Sequence, residues 1–326
     1  MRLLVLGGTR FVGRTLVEEA VRRGHSVTTL ARGVSGDPPP GVESLHGDRT
    51  KEADLEVLRG REWDAAVDTS VLAPRHVGAT ARLLADQVGH YVYVSTVSVY
   101  PDFGGQPVDE ASEVYECPAD AVDVDYGPGK AGAERAVQEA FSGRALIVRP
   151  GVILGPYESP GRLLWWLRRI ARGGQVLAPG SPDRAVRFVD VRDLAVWMLD
   201  NARRRLPGVV NVPGPRDTTT MGELLGLCVE ATGSRAELVW LDDATLTEAD
   251  VQPWTELPFW VPAGSGFGAW TDISDERARL AGIRYHPVRG TVFDTWRWLR
   301  GVPEPSLAPD LGLDPDKERR LLAAQP

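Results

Sequence analysis

The first thirteen residues constrain the fold of this chain more than any other stretch. An apolar run reaches Leu6, a glycine-rich turn follows at once, and apolar side chains then recur at helical spacing over 12–21. A strand, a glycine turn and a helix in this order indicate a dinucleotide-binding loop, because N–H groups at the helix start face a pyrophosphate. The loop residues expected to bind the cofactor are Gly7, Thr9, Arg10, Phe11, Val12 and Gly13.

The composition excludes several classes of protein. With 43% hydrophobic and 25% charged residues in 326, the chain is typical of soluble globular proteins. The net charge of −8 argues against nucleic acid as a partner. Cys117 and Cys228 are the only cysteines, which indicates a reducing compartment, and the five scattered histidines predict no metal site. Lacking a membrane-length apolar stretch or a signal-peptide pattern, the chain is expected to be cytoplasmic.

Strands and helices alternate in the first half of the chain. The pattern predicts strands over 3–6, 26–30, 42–46, 65–68, 91–95 and 145–148, with helices over 10–23, 77–87 and 127–141. Such repeats are typical of a parallel sheet with right-handed crossovers. We therefore predict an α/β fold, a Rossmann-type doubly wound parallel sheet, and assign residues 1–150 to an NAD(P)-binding domain.

The regular alternation of strand and helix patterns ends near Pro150, and nine of the ten tryptophans lie after it. Helices are expected over 163–171, 221–231 and 275–281, and a strand leading into a helix over 186–200. We assign 151–302 to a smaller substrate-binding lobe, interleaved with the last sheet elements. The tail over 303–326 is rich in proline and charge and is expected to pack loosely.

The end of the second predicted strand bears on cofactor choice. An NAD-preferring site carries an acidic residue there, which hydrogen-bonds the adenosine ribose. This sequence has Ala31 and Arg32 instead. Arg32, with Arg10 in reach, would pair with a 2′-phosphate, a charge-assisted contact worth about 1.5–3 kcal/mol. We predict NADP, with NAD as the alternative; Arg32 as a solvated loop residue is the other interpretation.

A tyrosine and a lysine four residues apart begin the helix expected from residue 127. Tyr126 and Lys130 would share one helix face, and a nearby ammonium favours the phenolate, lowering the tyrosine pKa. Tyr126 would then serve as a general acid/base near neutral pH. Upstream, the strand over 91–95 ends in the hydroxyl residues Ser95 and Thr96, at the sheet edge where ligands bind.

These motifs stand in the order found in extended short-chain dehydrogenases/reductases. The chain resembles the NAD-dependent epimerase/dehydratase family of that superfamily up to about residue 299. The matching segments are Gly7–Gly13, Asp48, Ser95-Thr96, Tyr126 with Lys130, Arg149-Pro150-Gly151-Val152 and residues 187–193.

The resemblance implies a role at each matching position. It also implies a small-molecule substrate and, as a family expectation, a homodimer. Thr96 would hydrogen-bond the reacting oxygen, Tyr126 would pass the proton, Lys130 would bind the nicotinamide ribose and tune Tyr126, Asp48 would contact the adenine amine, and Pro150 and Val152 would border the nicotinamide.

Some of these positions have a purely structural interpretation as well. Ser95 and Ser98 would then cap the strand end, and Asp48 would be a turn residue. Asp190 and Asp193 are better explained as helix-start residues than as substrate ligands.

Three departures from the family pattern narrow the function. Arg10 replaces the middle glycine, as in an atypical branch that includes chloroplast stem-loop RNA-binding proteins. Val97 and Ser98 stand where sugar 4,6-dehydratases carry an Asp-Glu pair, which disfavours elimination. Ala31 replaces the acidic residue of NAD-retaining epimerases.

These features favour an NADP(H)-dependent oxidoreductase that interconverts a carbonyl and a secondary alcohol. The alternatives are a nucleotide-sugar epimerase with a retained cofactor and a non-catalytic NADP- or RNA-binding protein.

The tryptophans of the second half admit two interpretations. Trp165, Trp166, Trp254 and Trp260 would form either a stacking wall for the substrate or the core of the lobe. We favour the core for most of them, with Trp254 and Trp260 as the best candidates for substrate contact because they lie among prolines.

Overall fold

Apolar strands and amphipathic helices alternate through the structure, a computed structural model that describes residues 1–34, 36–101, 107–216, 219–265, 272–303 and 307–324. The strands are β1 (Arg2–Leu6), β2 (Ser26–Ala31), β3 (Glu43–His46), β4 (Ala65–Asp68), β5 (Tyr91–Val94), β6 (Ala145–Pro150), β7 (Ile153–Leu154), β8 (Gln175–Pro179), β9 (Val189–Asp190), β10 (Gly208–Val212) and β11 (Glu237–Leu241). The helices are α1 (Phe11–Arg22), α2 (Pro74–Leu84), α3 (Tyr126–Ala140), α4 (Arg162–Ala171), α5 (Val191–Arg204), α6 (Met221–Thr232), α7 (Asp243–Glu248), α8 (Glu276–Leu280), α9 (Val288–Arg300) and α10 (Pro315–Ala323).

Seven strands form the main sheet in the order β10-β6-β5-β4-β1-β2-β3, and every neighbouring pair is parallel. The predicted doubly wound α/β fold is confirmed. The chain steps from β1 to β2 on one side and returns to β4 on the other, so the strand order reverses at β1. Ligands of open parallel sheets bind at such a reversal, beyond the carboxyl ends of the strands.

The alternation of side chains along β1 divides the core in two. Leu3 and Val5 pack with Leu16 and Val17 of α1 on one face. Leu4 and Leu6 pack on the opposite face with Val77 of α2. Because the central strands are apolar on both faces, helices must cover both sides of the sheet, which is why it is doubly wound.

The second half builds its own core and also returns to the sheet. Trp166, Leu224 and Val292 from α4, α6 and α9 share one buried cluster, beside the parallel pair β8 and β11. The edge strand β10 comes from this half and pairs with β6. The sequence analysis found the helices near 163–171, 221–231 and 275–281 but not β8, β10, β11, α9 or α10. In the described part of the chain, no helix has the length and apolarity that a membrane span requires.

The C-terminal segment is firmly docked, so the expectation of a loosely packed tail is wrong for residues 307–324. Leu313 is buried in the core of the second lobe. Glu318 of α10 is only 5% exposed. Its carboxylate accepts hydrogen bonds from Arg169 Nε at 2.6 Å and from the Leu177 backbone N–H at 3.1 Å. A segment rich in proline and charge is usually loosely packed. Composition alone does not show that Glu318 binds both Arg169 and the Leu177 backbone.

Glu318→Gln is expected to lower the free energy of unfolding by about 3 kcal/mol, because it removes one partner of a mostly buried ion pair. Urea unfolding followed by tryptophan fluorescence would measure the loss. Glu248→Gln, at an exposed position of α7, is the matched control and should change stability by less than about 0.5 kcal/mol. Equal stability of both variants would show that α10 contributes little to the lobe.

Candidate active site

A cavity of about 650 Å³ opens at the carboxyl edge of the sheet, where the strand order reverses. It is lined by the loop between β1 and α1 and by the ends of β2, β4, β5 and β6. The predicted site residues that line it are Gly7, Thr9, Arg10, Phe11, Val12, Gly13, Arg32, Asp48, Thr96, Tyr126, Lys130 and Pro150. Val152 is the exception: it is buried in the core of the second lobe, and the next residue, Ile153, lines the cavity instead.

Glycines shape the loop between β1 and α1 because no side chain fits there. Gly7 has φ +99°, and a Cβ on it would lie 2.6 Å from Thr69 Oγ1. A Cβ on Gly13 would lie 2.7 Å from the backbone nitrogen of Gly8. The close approach at Gly13 is therefore between the helix and the loop before it. The result is a cradle of bare backbone facing the cavity.

The start of α1 presents unpaired N–H groups to this cradle. The first helical bond runs from Arg14 N to Arg10 O, so the N–H groups of Phe11, Val12 and Gly13 precede it. Arg10, the N-cap residue, makes no capping hydrogen bond with its side chain. Donors at a helix N-terminus attract anions, and the bare backbone leaves room for one. The residues present thus fit the pyrophosphate of a dinucleotide.

Arg32 and Asp48 stand together at the β2 side of the cavity. The Asp48 carboxylate accepts hydrogen bonds from the Thr50 N–H at 3.0 Å and the Thr50 hydroxyl at 2.8 Å. These bonds, and then the positive charge of Arg32, lower the pKa of Asp48. Asp48 is therefore a turn residue that also lines the cavity. Arg32 and Arg10 are both exposed on its wall.

A buried ion pair that the sequence analysis missed forms the floor beneath. Arg49 Nη1 and Nη2 reach Asp68 Oδ1 and Oδ2 at 2.8 and 2.7 Å, and Tyr91 donates to the same carboxylate at 2.9 Å. Arg49 also donates to Ser70 Oγ at 2.9 Å. An aspartate ending the apolar strand β4 was the available signal, because a carboxylate buried there needs a cation. The pair fixes the loops after β3 and β4 relative to each other.

Thr96 and Tyr126 meet across the cavity, as the resemblance implies. The Tyr126 side chain, 51% exposed at the start of α3, lines the cavity together with the Thr96 side chain, which is close enough to favour the phenolate. The loop after β5 holds Thr96, whose Oγ1 accepts from the Ser98 N–H at 3.1 Å. Partial burial raises the pKa of Tyr126, an effect that Thr96 and the positive charge of Arg162 oppose.

Lys130 is locked in place rather than turned towards the Tyr126 phenol. Its Nζ donates to the backbone oxygens of Ser70 at 2.8 Å and Val94 at 2.7 Å, and lies 4.8 Å from the centre of the Tyr93 ring. Burial lowers the pKa of Lys130 to about 8. The expected lowering of the Tyr126 pKa by Lys130 is therefore wrong for this structure: the pKa is raised, and the cation acting on the phenol is Arg162.

Ser95, Asp190 and Asp193, for which the sequence also allowed a purely structural role, make hydrogen bonds that hold the fold together. Ser95 donates to the buried carboxylate of Glu134, which forms a two-pronged ion pair with Arg149 at 2.9 and 2.6 Å. Asp190 caps α5 by accepting from the Arg192 N–H at 2.8 Å. Asp193 is near the start of the same helix and accepts from the His286 N–H at 2.7 Å.

The tryptophans divide as the core interpretation expects, with one exception. Trp166 and Trp260 are 0% and 1% exposed within the core of the lobe, so Trp260 is not a surface for substrate. Trp165 packs against that core. Trp254 is partly buried, with the Arg162 guanidinium 5.2 Å above its ring. Trp270 lies outside the described residues.

Comparison with known proteins agrees with this fold. The model of the NAD dependent epimerase/dehydratase family matches residues 61–212. A dTDP-6-deoxy-L-talose 4-dehydrogenase (NAD(P)(+)) of Kitasatospora kifunensis is 30% identical over 269 residues, covering 73% of this chain and 81% of the relative. The class defined by the fold and the site is the extended short-chain dehydrogenase/reductase. Within it, the chain belongs to the NAD-dependent epimerase/dehydratase family.

Two further proteins are similar to this chain, one in sequence and one in structure. A chloroplast stem-loop binding protein of 41 kDa from Arabidopsis thaliana is 27% identical over 251 residues, covering 71% of this chain and 63% of the relative. A UDP-glucose 4-epimerase of Thermotoga maritima, solved with UDP-glucose, superposes with a TM-score of 0.68 at 16% identity, covering 92% of this chain and 99% of that one. The second likeness shows the fold alone.

Gly13→Ala is expected to destabilise the protein by about 1–3 kcal/mol, because its Cβ would press against backbone that has no room to move. Gly226→Ala on α6 is the matched control, since a Cβ there meets nothing within 4 Å. The control should be neutral or stabilising by up to about 1 kcal/mol. Thermal unfolding of both variants measures the difference; equal melting temperatures would contradict the close approach of α1 to its loop.

Proposed function

We propose that this protein is an NADP(H)-dependent oxidoreductase that interconverts a carbonyl and a secondary alcohol of a small molecule. The observation that carries the proposal is that Tyr126 and Thr96 line the same cavity as the glycine cradle at the start of α1. A proton-transferring pair and a dinucleotide site in one cavity are what such a reaction needs.

Different residues of the cavity would bind different parts of the dinucleotide. The cradle and the start of α1 would hold the pyrophosphate, and Arg10 and Arg32 would pair with a 2′-phosphate. Asp48 would contact the adenine, and Lys130 and Pro150 would border the nicotinamide end. When bound, the nicotinamide supplies or accepts the hydride.

Tyr126 would move the proton. Because partial burial raises the pKa of its phenol, the group is neutral at pH 7 and is ready to donate. In the reducing direction it would protonate the oxygen of the former carbonyl, with the Thr96 hydroxyl holding that oxygen in place. Lys130 would act mainly by position, since two backbone oxygens already fix its ammonium.

A nucleotide-sugar epimerase remains the second candidate, because the solved structures similar to this chain include UDP-glucose 4-epimerases. Epimerases of this type keep one NAD and return the hydride to the same substrate. An RNA-binding role has support from the similar chloroplast protein but not from the net charge of −8. The Tyr126–Thr96 pair favours an enzyme over a pure binding protein.

Tyr126→Phe is expected to reduce turnover by at least about a hundredfold while leaving NADPH affinity within about twofold, because only the transferable proton is lost. Turnover would be followed as NADPH oxidation across a panel of carbonyl compounds. Tyr285→Phe, which removes a phenol remote from the cavity, is the matched control and should retain activity. Substantial turnover by Tyr126→Phe would exclude Tyr126 as the acid.

Arg32→Asp is expected to lower the ratio of NADPH to NADH affinity by at least about tenfold, since an attractive contact with the 2′-phosphate becomes repulsive. Arg59→Asp, an equal change of charge at an exposed position, should leave the ratio unchanged. Both ratios come from fluorescence titrations of nucleotide-free protein.

The nucleotide released on denaturation of the purified protein, identified by mass spectrometry, separates the two enzyme classes. An empty site that prefers NADPH supports the reductase. Stoichiometric retained NAD would move the assignment to an epimerase.

A further inference from the structure

In the part of the chain that the structure describes, one partly buried guanidinium of the second lobe lacks the carboxylate partners that the buried Arg49 and Arg149 possess. Arg162 is the first residue of α4 and is partly buried. Over the ranges the structure describes, no carboxylate oxygen lies within 4 Å of its guanidinium, and no group accepts a hydrogen bond from it. Arg49 and Arg149, by contrast, each grip a carboxylate with two nitrogens.

The nearest acid, Glu158, is committed to another task. Its two oxygens accept hydrogen bonds from the backbone N–H groups of Arg162 at 2.8 Å and Leu163 at 3.1 Å. Glu158 is 2% exposed, and burial raises its pKa to about 7. Near neutral pH it therefore caps α4 and supplies Arg162 with only part of a counter-charge. A partly buried guanidinium that no carboxylate neutralises fully is well suited to bind an anionic group of a ligand.

The position of Arg162 points to the substrate. Ser159 and Pro160, just before it, line the cavity, and its charge acts on the Tyr126 phenol. Its guanidinium lies over Trp254, whose ring supports a planar cation from below. Trp254 itself has φ +67°, a strained backbone conformation of the kind that concentrates at binding sites.

The C-terminal segment holds this part of the wall. A Cβ on Gly161 would lie 2.4 Å from Leu307, and the Ala308 N–H donates to the Pro160 carbonyl at 3.4 Å. Arg162 thus begins α4 directly after a loop that the C-terminal segment contacts from outside, which helps a ligand-binding side chain keep its direction.

We propose that Arg162 binds an oxyanion, a carboxylate or a phosphoryl group, that the substrate carries close to its reacting carbon. This inference rests on the proposed function, because the position of the reacting carbon is defined by Tyr126 as the proton donor. A planar guanidinium with five N–H donors matches either group with two parallel hydrogen bonds. The proposal selects keto acids, hydroxy acids and their phosphorylated counterparts from the wider class of carbonyl compounds and alcohols.

The test is a binding measurement that needs no turnover. Oxamate, inorganic phosphate and the neutral analogue oxamide are titrated by calorimetry into protein saturated with NADP⁺, so that the pyrophosphate cradle is filled. Oxamate or phosphate is expected to bind wild type, and oxamide is not. Arg162→Met should weaken that binding at least about tenfold, Arg162→Lys should fall between, and Arg172→Met, an exposed arginine at the other end of α4, should match wild type.

The outcomes separate the two proposals. Equal binding of the anions to wild type and Arg162→Met, or no binding to either, overturns the role of Arg162. UDP binding that depends on Arg162 while oxamate and phosphate do not bind also overturns it, because the anion of a nucleotide sugar lies far from the reacting carbon. Failure of the protein to bind NADP⁺ would contradict the proposed function instead. In that case, oxamate binding to the nucleotide-free protein that depends on Arg162 would still support the role of Arg162. Unchanged melting temperatures of the variants show that folding is not the cause.

Discussion

The parallel alignment of β1, β4, β5 and β6 is the constraint on which the rest of this structure depends. These strands are buried on both faces, so they carry apolar side chains until the point where they end. Polar groups gather at or just beyond the carboxyl ends, and parallel alignment places all those ends at one edge of the sheet. Thr96, the peptide oxygens that hold Lys130, and the glycine cradle therefore share one cavity although they are far apart in sequence.

Two buried ion pairs convert this shared edge into a rigid site. Arg49 with Asp68 ties the loop after β3 to the end of β4, and Arg149 with Glu134 ties β6 to α3. Such pairs add little net stability, since desolvation offsets their attraction. Their geometry nevertheless permits only one arrangement of the elements, and the nearness of Thr96 to Tyr126 depends on the placement of β5 and α3.

The sequence predicted the sheet and most of the cavity because both rest on short-range patterns. Apolar runs gave the central strands, glycine spacing gave the cradle, and the order of motifs gave Thr96 and Tyr126. What escaped prediction depends on contacts between distant residues. The partner of Asp68 lies nineteen positions away, and β10 reaches the sheet edge only after the chain has passed through α4, β8 and α5. The direction of Lys130 depends on two backbone oxygens, which no pattern of side chains reports. Arg162 was overlooked because what distinguishes it is partial burial without a carboxylate partner among the described residues, which no sequence pattern reports.

Leu307 and Ala308 dock onto the loop before α4, and α10 docks onto α4 and β8, which has a consequence for the order of assembly during synthesis. The sheet has all its strands once residue 212 has emerged from the ribosome, and with them the cradle and the Thr96–Tyr126 pair. The wall that bears Arg162 receives its clamp about a hundred residues later, when Leu307 and α10 have been made. Because domains fold as the chain emerges, the half that would hold the nucleotide is complete before the half that would choose the substrate. A nascent chain would thus be able to bind the dinucleotide before it could select a substrate.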